Sequence, residues 1–234
     1  MDISNRLKCI VKHIDKCESI IDVGSDHGYI PIYTVKNNIV KNAIASDINK
    51  GPTDKARLNA QIEGVIDKVD IRQGAGLAPT EIGETDGLII AGMGGNLIID
   101  ILEADMAKVK KFKFIILQPA QNPEVLRKYL YNSGYEVLEE DLCYDEGIYY
   151  ELFKVKWNNC ESLNLEDLFY EISPIMLKNK HKLMKDFLIE KVKRYKKIVS
   201  NIKDEGISAQ RRKRDLEKRI EDIEKFIKGL WCLC

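Results

Sequence analysis

The sequence predicts a doubly wound α/β protein with a mostly parallel seven-stranded sheet, continuing into a C-terminal antiparallel helical coiled-coil domain. Three observations lead to this prediction. Short apolar stretches alternate with stretches of helical period up to residue 132, as in parallel sheets covered by helices. Two more strand-like stretches then follow, joined by a connection too short for a crossover helix. From about Leu165, apolar residues recur every three or four positions.

The first elements surround a glycine-containing turn. Ser4 is a candidate N-cap for a helix whose apolar residues share helical spacing. These residues are Leu7, Ile10, Val11 and Ile14. A strand over 19–23 leads into a turn between Gly24 and Gly28. We expect Pro31 to begin the next helix, because proline needs no hydrogen-bond acceptor in a first turn.

The middle of the chain repeats this alternation and ends in a hairpin. We predict strands over 42–46, 69–73, 86–91 and 112–117, and helices over 51–63, 96–103 and 123–132. Strands over 135–142 and 148–156 follow, joined by Tyr144-Asp145-Glu146-Gly147. Because that connection cannot hold a helix, the two strands must pair antiparallel, which places an antiparallel edge on the sheet.

The tail predicts two amphipathic helices and a second domain. The domains are 1–159, for the ligand-binding sheet, and 160–234. The repeating apolar positions are Met184, Leu188, Val192, Tyr195, Val199 and Ile202, then Leu216, Ile220, Ile223, Ile227 and Leu230. Asp204-Glu205-Gly206 separates the two sets, which favours an antiparallel hairpin within one chain. The chain is then a monomer, with dimerisation through the same helices as the alternative.

Charge distribution separates the two parts of the chain. The formal net charge is zero, yet residues 161–234 carry 18 basic and 13 acidic side chains, against 19 and 24 in residues 1–160. Nine basic residues between Lys178 and Lys197 are accompanied by only Asp186 and Glu190. Such a stripe favours a polyanion, and the alternative is an ordinary solvated helix face.

Composition limits the other classes of protein. The six cysteines show no CxxC and no metal-like spacing with the three histidines, so we expect reduced thiols and no metal site. No apolar run is long enough to span a membrane, and the start MDISNRLK lacks the apolar core of a signal peptide. These features predict a cytoplasmic protein that does not associate with a membrane.

The turn after the first strand indicates the class of ligand. Parallel sheets bind ligands beyond the carboxyl ends of their strands. Gly24-Ser25-Asp26-His27-Gly28 lacks the GxGxxG of dinucleotide sites, which disfavours NAD. Asp47 ends the second strand, where a carboxylate can accept hydrogen bonds from a ribose, or can simply stabilise a turn. With the terminal hairpin, this pattern suits S-adenosylmethionine, which has a ribose but no phosphate.

Several motifs resemble the bacterial tRNA adenine-22 N1-methyltransferase family. They are SNRL (4–7), DVGSDHGYIP (22–31), SDI (46–48), GMGG (92–95), LQP (117–119), IYYE (148–151) and SPIMLKNK (173–180). The resemblance implies a seven-stranded class I methyltransferase domain with a helical C-terminal domain. It implies methyl transfer from S-adenosylmethionine to N1 of an adenine in the D-arm region of tRNA. The chain departs from the family at Ala75, where an acidic or amide residue is frequent, and at Ser173, where glycine is frequent.

The motifs and the resemblance together give candidate site residues. Candidate catalytic residues are Asp26, which could stabilise charge on the adenine or accept a proton, and His27, which could relay a proton or only fix the turn. The candidate cofactor-binding residues are Arg6, Asp22, Gly24, Asp26, His27, Asp47, Ile48, Gln73, Gly74, Ala75, Gly92 and Met93. The candidate substrate-binding residues are Tyr29, Gly94, Gly95, Asn96, Gln118, Pro119, Lys191, Lys193, Arg194 and Lys197.

Two alternative function classes remain open from the sequence. The same fold can methylate another RNA, a small molecule or a protein, and a chain that keeps the fold can bind RNA without catalysis. The basic tail disfavours a small substrate, because such a substrate does not require a cationic extension. The retained Gly24, Asp26, Asp47 and GMGG set disfavours a noncatalytic protein.

Overall fold

A computed structural model describes residues 1–203 and 206–231, without the side chains of residues 230 and 231. The chain divides into two compact units, Met1–Ile175 and Met176–Cys234, here called the sheet unit and the helical unit. This division lies sixteen residues beyond the boundary expected at 159/160. The described chain has no helix that is both long and apolar enough to cross a membrane.

The sheet unit contains seven strands. They are β1 (Ser19–Val23), β2 (Asn42–Asp47), β3 (Val69–Gln73), β4 (Gly87–Ala91), β5 (Phe114–Gln118), β6 (Tyr135–Asp145) and β7 (Ile148–Trp157). Their order across the sheet is β3-β2-β1-β4-β5-β7-β6. Strands β1 to β5 pair in parallel, and β7 pairs antiparallel with both β5 and β6. The predicted fold class is confirmed.

Helices cover both faces of this sheet. In the sheet unit they are α1 (Asn5–Lys12), α2 (Tyr29–Lys36), α3 (Lys50–Ile62), α4 (Gly95–Ala104), α5 (Met106–Val109), α6 (Pro123–Asn132) and α7 (Asp167–Glu171), and α8 (Pro174–Lys178) crosses into the helical unit. Alternate strand residues face opposite cores: Ile21 packs with α4, α5 and α6, and Ile20 packs with α1, α2 and α3. This alternation follows from the period of two in a strand.

A buried ion-pair cluster explains why the sheet unit extends past residue 159. Arg127, fully buried on α6, donates hydrogen bonds to Glu140 at 2.7 and 2.9 Å and to Glu151 at 2.5 Å. Its Nη1 also donates to the main-chain oxygen of Tyr170 at 2.7 Å. The segment around α7 is therefore fastened to the sheet, since releasing it would leave a buried guanidinium with an unpaired donor.

Two predicted boundaries are wrong in informative ways. Helix α2 begins at Tyr29, and Pro31 is its third residue, because Gly28 takes the left-handed φ of 70° and serves as the N-cap. Strand β6 continues to Asp145, so the hairpin turn is only Glu146-Gly147, not the four residues expected. The short helices α5, α7 and α8 were not predicted, since each is under two turns long.

The helical unit contains α9 (Met184–Asn201) and α10 (Ile207–Trp231). The helices pack on each other, with Leu188, Val192, Ile220 and Ile223 buried as the spacing predicted. Lys196 Nζ of α9 lies 2.7 Å from Glu224 Oε1 of α10. Asp204, Glu205 and the side chains of Leu230 and Trp231 lie outside the described residues, as do Cys232 and Cys234. The antiparallel coiled coil therefore stays a prediction.

Candidate active site

A cavity of about 530 Å³ opens at the carboxyl ends of β1 and β4. Its wall combines the loop after β1, the end of β4, the first turn of α1 and the β6–β7 hairpin turn. The lining residues are Asp2, Ile3, Ser4, Arg6, Leu7, Asp22, Gly24, Ser25, Asp26, His27, Tyr29, Ile30, Ala91, Gly92, Asp145, Glu146 and Tyr150. This is the position at which parallel sheets bind their ligands.

The loop after β1 is held open by glycine and fastened to β2. The main-chain N–H groups of Gly24 and Ser25 donate to the Ser46 oxygen at 2.8 and 2.9 Å. Gly24 has a φ of 75°, and a Cβ there would overlap the Met93 methyl group. Only glycine therefore allows the backbone to form this part of the cavity wall.

Asp22 is the buried acid of the cavity. Burial raises the pKa of its carboxyl to about 7; the Arg6 charge opposes this shift and the Asp47 charge adds to it. A cation bound nearby would favour the ionised form of Asp22 and lower that pKa. The cavity therefore contains a carboxyl that changes charge near neutral pH.

Arg6 is the cationic residue of the cavity. Its main-chain N–H donates to Asp145 Oδ2 at 3.1 Å, and its Nη1 donates to Gln118 Oε1 at 3.4 Å. The guanidinium carbon lies 5.4 Å from the centre of the Tyr150 ring, in cation–π range. The guanidinium also lies beside the Gly92 backbone, since a Cβ on Gly92 would stand 3.5 Å from Arg6 Nη1. These contacts fix the position of a positive charge in the cavity wall.

Asp26 and His27 lie at the mouth of the cavity. His27 Nε2 is 3.2 Å from Asp26 Oδ2, and the His27 ring stacks on Tyr29 with centroids 5.2 Å apart and 12° between planes. The Asp26 side chain is 69% exposed, which leaves it open to a large substrate. Asn59 donates to the His27 main-chain oxygen at 3.0 Å and so supports the loop from α3.

The candidate residues after β2 and β3 form a neighbouring group that does not line the cavity. Asp47 Oδ1 accepts from the Asn49 N–H at 2.8 Å, the turn contact that was the alternative to ribose binding. Gly74 N–H donates to the Asp47 oxygen at 3.0 Å, and Gln73 Nε2 donates to the Ile48 oxygen at 3.1 Å. Ala75 follows directly. The group borders the loop after β1 through the bonds to Ser46.

The loops after β4 and β5 are joined to each other, and of their candidate residues Gly92 lines the cavity. Gly92 N–H donates to the Gln118 oxygen at 2.9 Å, and Gly95 N–H donates to the Gln121 oxygen at 2.8 Å. The Met93 side chain packs against the sheet core and Gly24. Met93, a candidate cofactor-binding residue, is partly buried in this way. The remaining candidates here are Gly94, Asn96 and Pro119, of which Asn96 is exposed.

The tail candidates lie in the helical unit and differ in exposure. Lys193, Arg194 and Lys197 are exposed on α9. Lys191 is 7% exposed, with its Nζ 5.5 and 5.8 Å from the centres of the Phe187 and Tyr195 rings. The expectation that Lys191 faces a phosphate backbone is therefore wrong, because its position on the helix places it among the apolar residues.

Sequence reasoning missed much of the cavity wall. The missed residues are Asp2, Ile3, Ser4, Leu7, Ser25, Ile30, Ala91, Asp145, Glu146 and Tyr150. Three motifs already quoted contain five of them and could have indicated them: SNRL contains Ser4 and Leu7, DVGSDHGYIP contains Ser25 and Ile30, and IYYE contains Tyr150. The residues of the β6–β7 hairpin lie near those of α1 only in the folded chain. Spacing along the sequence does not show that proximity.

Comparison with known proteins identifies the family. The sequence model of the TrmK family, described as tRNA (adenine(22)-N(1))-methyltransferase, matches residues 20–225. The chain belongs to this family. The resemblance predicted from its motifs is thereby confirmed.

Individual TrmK relatives agree in sequence and in structure. The tRNA (adenine(22)-N(1))-methyltransferase of Bacillus subtilis strain 168 is 36% identical over 152 residues, which span 65% of this chain and 64% of that protein. The crystal structure of the B. subtilis M1A22 tRNA methyltransferase TrmK is similar with a TM-score of 0.83 and 28% identity, covering 97% of this chain and 99% of that one. The M. capricolum TrmK structure, in complex with S-adenosyl-homocysteine, is similar with a TM-score of 0.81 and 29% identity, covering 97% of this chain and 99% of that one.

Proposed function

We propose that the protein transfers a methyl group from S-adenosylmethionine to N1 of adenine 22 in the D-arm region of bacterial tRNA. The observation that carries this proposal is the cavity beyond β1 and β4, which pairs a buried acid with a guanidinium in a chain of the TrmK family. The proposal places the protein in the cytoplasm with its tRNA. It also treats the chain as a monomer, because α9 and α10 cover each other's apolar residues within one chain.

The cavity suits S-adenosylmethionine by charge and by space. The ligand carries a carboxylate and two cationic centres, an ammonium and a sulfonium, and it supplies the methyl group. Arg6 is the cation that can bind the carboxylate, and Asp22 is the acid that can balance a positive centre. Gly24 and Gly92 line the cavity with backbone alone, at φ values of 75° and 82°. The loops around Asp47 and Gln73 to Ala75 are proposed to receive the ribose and adenine.

The protein's part in the transfer is alignment and charge stabilisation. Methyl transfer is an in-line displacement, so most of the rate gain comes from holding donor and acceptor in position. Positive charge develops on the adenine as N1 is methylated, and its amine becomes more acidic. Asp26, exposed at the cavity mouth beside His27, is placed to stabilise that charge or to accept the proton. Tyr29, stacked on His27, offers an exposed ring next to the incoming base.

The exposed cations of α9 are proposed to bind the tRNA backbone. Lys193, Arg194 and Lys197 are accessible, whereas Lys191 is excluded by its burial. Contacts of this kind depend on salt: the logarithm of the binding constant falls with the logarithm of the salt concentration, with a slope of roughly −0.7 to −0.9 for each phosphate neutralised. They position the tRNA without reading sequence.

The direct test is nucleoside analysis of methylated transcripts. The protein is incubated with labelled S-adenosylmethionine and a tRNA transcript carrying adenine 22, with an otherwise identical transcript carrying guanine 22 as the control. We expect 1-methyladenosine only in the first. Equal incorporation into both transcripts, or methylation at another nucleoside, would refute the proposed specificity.

Single-turnover rates test Asp26. With saturating cofactor and tRNA, Asp26→Asn should slow methylation by about 10²–10⁴-fold, the range expected for loss of a general base. Cofactor affinity should change little, because the Asp26 side chain is mostly solvent-exposed. A variant as fast as the parent would show that N1 attacks without help from this carboxylate.

Charge reversal tests the tail. The triple change Lys193→Glu, Arg194→Glu and Lys197→Glu should weaken tRNA binding and reduce its salt slope, leaving cofactor binding intact. The control reverses three exposed lysines of the sheet unit, Lys41, Lys55 and Lys68, for the same change in net charge. Equal weakening by both triples would show a nonspecific effect of net charge.

A further inference from the structure

A group of metal-ligand side chains lies outside the active-site cavity, where α1 packs on β6. Cys9 is on α1, His13 is its C-cap residue, and Asp141 is on β6. One ligand atom from each, the sulfur, a ring nitrogen and a carboxylate oxygen, all lie within 4.8 Å of one another. Cys9 and His13 are four residues apart, so both side chains project from the same face toward Asp141.

The distances in this group approach those of a tetrahedral zinc site. His13 Nε2 is 2.7 Å from Asp141 Oδ2, and Cys9 Sγ is 3.7 Å from the same oxygen. With bonds of about 2.0–2.3 Å to zinc, two ligand atoms stand roughly 3–4 Å apart. Cys9 and Asp141 already meet that spacing, and the imidazole has to withdraw by only about half an ångström.

A second carboxylate orients the imidazole as metal sites require. His13 is 7% exposed, and its Nδ1 lies 3.1 Å from Glu139 Oε2. When Nδ1–H donates to Glu139, Nε2 carries the lone pair and faces Cys9 and Asp141. A metal-bound histidine almost always donates its other N–H to a carboxylate, carbonyl or water in this way.

The surrounding charges suit a divalent cation. A Cys9 thiolate and the Asp141 carboxylate together balance two positive charges. The other charged groups nearby are Glu139, Lys12, whose Nζ is 3.7 Å from Asp141 Oδ2, and Lys154, whose Nζ is 3.7 Å from Glu139 Oε1.

We propose that Cys9, His13 and Asp141 bind a zinc ion, with a water molecule as the fourth ligand. The ion would fasten α1 to β6, and α1 carries Arg6 into the active-site cavity one turn before Cys9. Spacing along the chain could not show this site, because Asp141 is 128 residues from His13. The expectation of no metal site rested on that spacing alone.

Metal titration of the full chain tests the proposal without reference to activity. Chelator-treated protein is titrated with Co²⁺, which reports a cysteine ligand by a thiolate-to-cobalt charge-transfer band, and then with Zn²⁺. We expect one equivalent of Co²⁺, displacement by Zn²⁺, and a rise in Tm with Zn²⁺. Cys9→Ser should abolish the band, and Glu139→Gln should weaken zinc binding about 10–100-fold while the ligands remain.

Two control variants keep the result specific, and circular dichroism checks that each variant folds. Cys17→Ser removes a thiol that instead faces the Ser19 oxygen, and Cys232→Ser with Cys234→Ser removes the terminal CxC pair. Both should retain the band. Failure of micromolar Zn²⁺ to bind the parent would overturn the proposal and leave His13 as a hydrogen-bond partner of Glu139 and Asp141. Full binding by Cys9→Ser, or loss of binding in the terminal double variant, would overturn it as well.

Discussion

Replacing Asp22 with asparagine should change how the stability of the protein depends on pH. The Asp22 carboxyl has a pKa of about 7 in the folded chain, raised chiefly by burial, against 3.8 as its ordinary value. Between these values the folded chain binds the proton more strongly than the unfolded chain does. Stability therefore falls as pH rises through this window. An asparagine side chain carries no charge at any pH in this range, so the variant should lose this dependence.

The magnitude follows from the two pKa values. From pH 5 to pH 8, ionisation of Asp22 should lower the free energy of unfolding of the parent by about 2–3 kcal/mol. Between pH 5 and pH 8, the free energy of unfolding of Asp22→Asn should therefore rise by that amount relative to the parent. Taking the difference between two pH values removes any constant effect of the substitution on packing.

Urea unfolding of parent and variant at pH 5 and pH 8 measures this difference. Asp86→Asn is the matched control, because a hydrogen bond from Lys113 lowers the pKa of Asp86, which stays ionised throughout the interval. The free energy of unfolding of Asp86→Asn should differ from that of the parent by the same amount at both pH values. If the parent and Asp22→Asn respond equally to pH, Asp22 is ionised in the free protein at neutral pH and the burial argument fails.

Four further outcomes are expected. By calorimetry, S-adenosylmethionine should bind the parent more tightly as pH rises from 6 to 8, as Asp22 ionises, whereas Asp22→Asn should bind weakly and without this dependence. Arg127→Met should lower the free energy of unfolding, measured by urea denaturation, by about 3–5 kcal/mol, because it leaves two buried carboxylates without their cationic partner. Gly87→Ala should cost about 1–3 kcal/mol in the same assay, since its Cβ would overlap the Phe114 ring. Glu146→Asn should raise the melting temperature slightly, because asparagine tolerates the positive φ of 47° better than glutamate; an unchanged or lower value would contradict this.

The repeating parts of the fold could be predicted from the sequence. β1, β3 and α6 begin and end at the expected residues, because apolar period and flanking glycine or proline act locally. The hairpin turn was placed only approximately: Tyr144 and Asp145 are polar enough to suggest a loop, yet cross-strand pairing with Tyr149 and Ile148 keeps them in the strand. At these two positions, the free energy gained by cross-strand pairing outweighs the preference of the local sequence for a loop.

Single long-range contacts could not be predicted. Arg127 looks like an ordinary surface cation of an amphipathic helix, and only the folded chain brings Glu140, Glu151 and the Tyr170 oxygen around it. Lys191 is a different case, because its spacing from Leu188 and Tyr195 already places it on the apolar side of α9. In the cavity, Asp22 and Asp26 were found from one continuous motif, whereas Tyr150 reaches the wall through the three-dimensional path of β7.

The bond from the Arg6 main-chain N–H to Asp145 joins residues 139 positions apart in the chain. During translation, residue 6 leaves the ribosome long before its partner is made, at about 5–20 residues per second. This side of the cavity wall therefore cannot close before the β6–β7 hairpin has been made. A nascent chain halted before the hairpin would lack one side of the cofactor cavity. Ligand binding would thus report completed synthesis of this unit, since a partial product has no closed site to occupy.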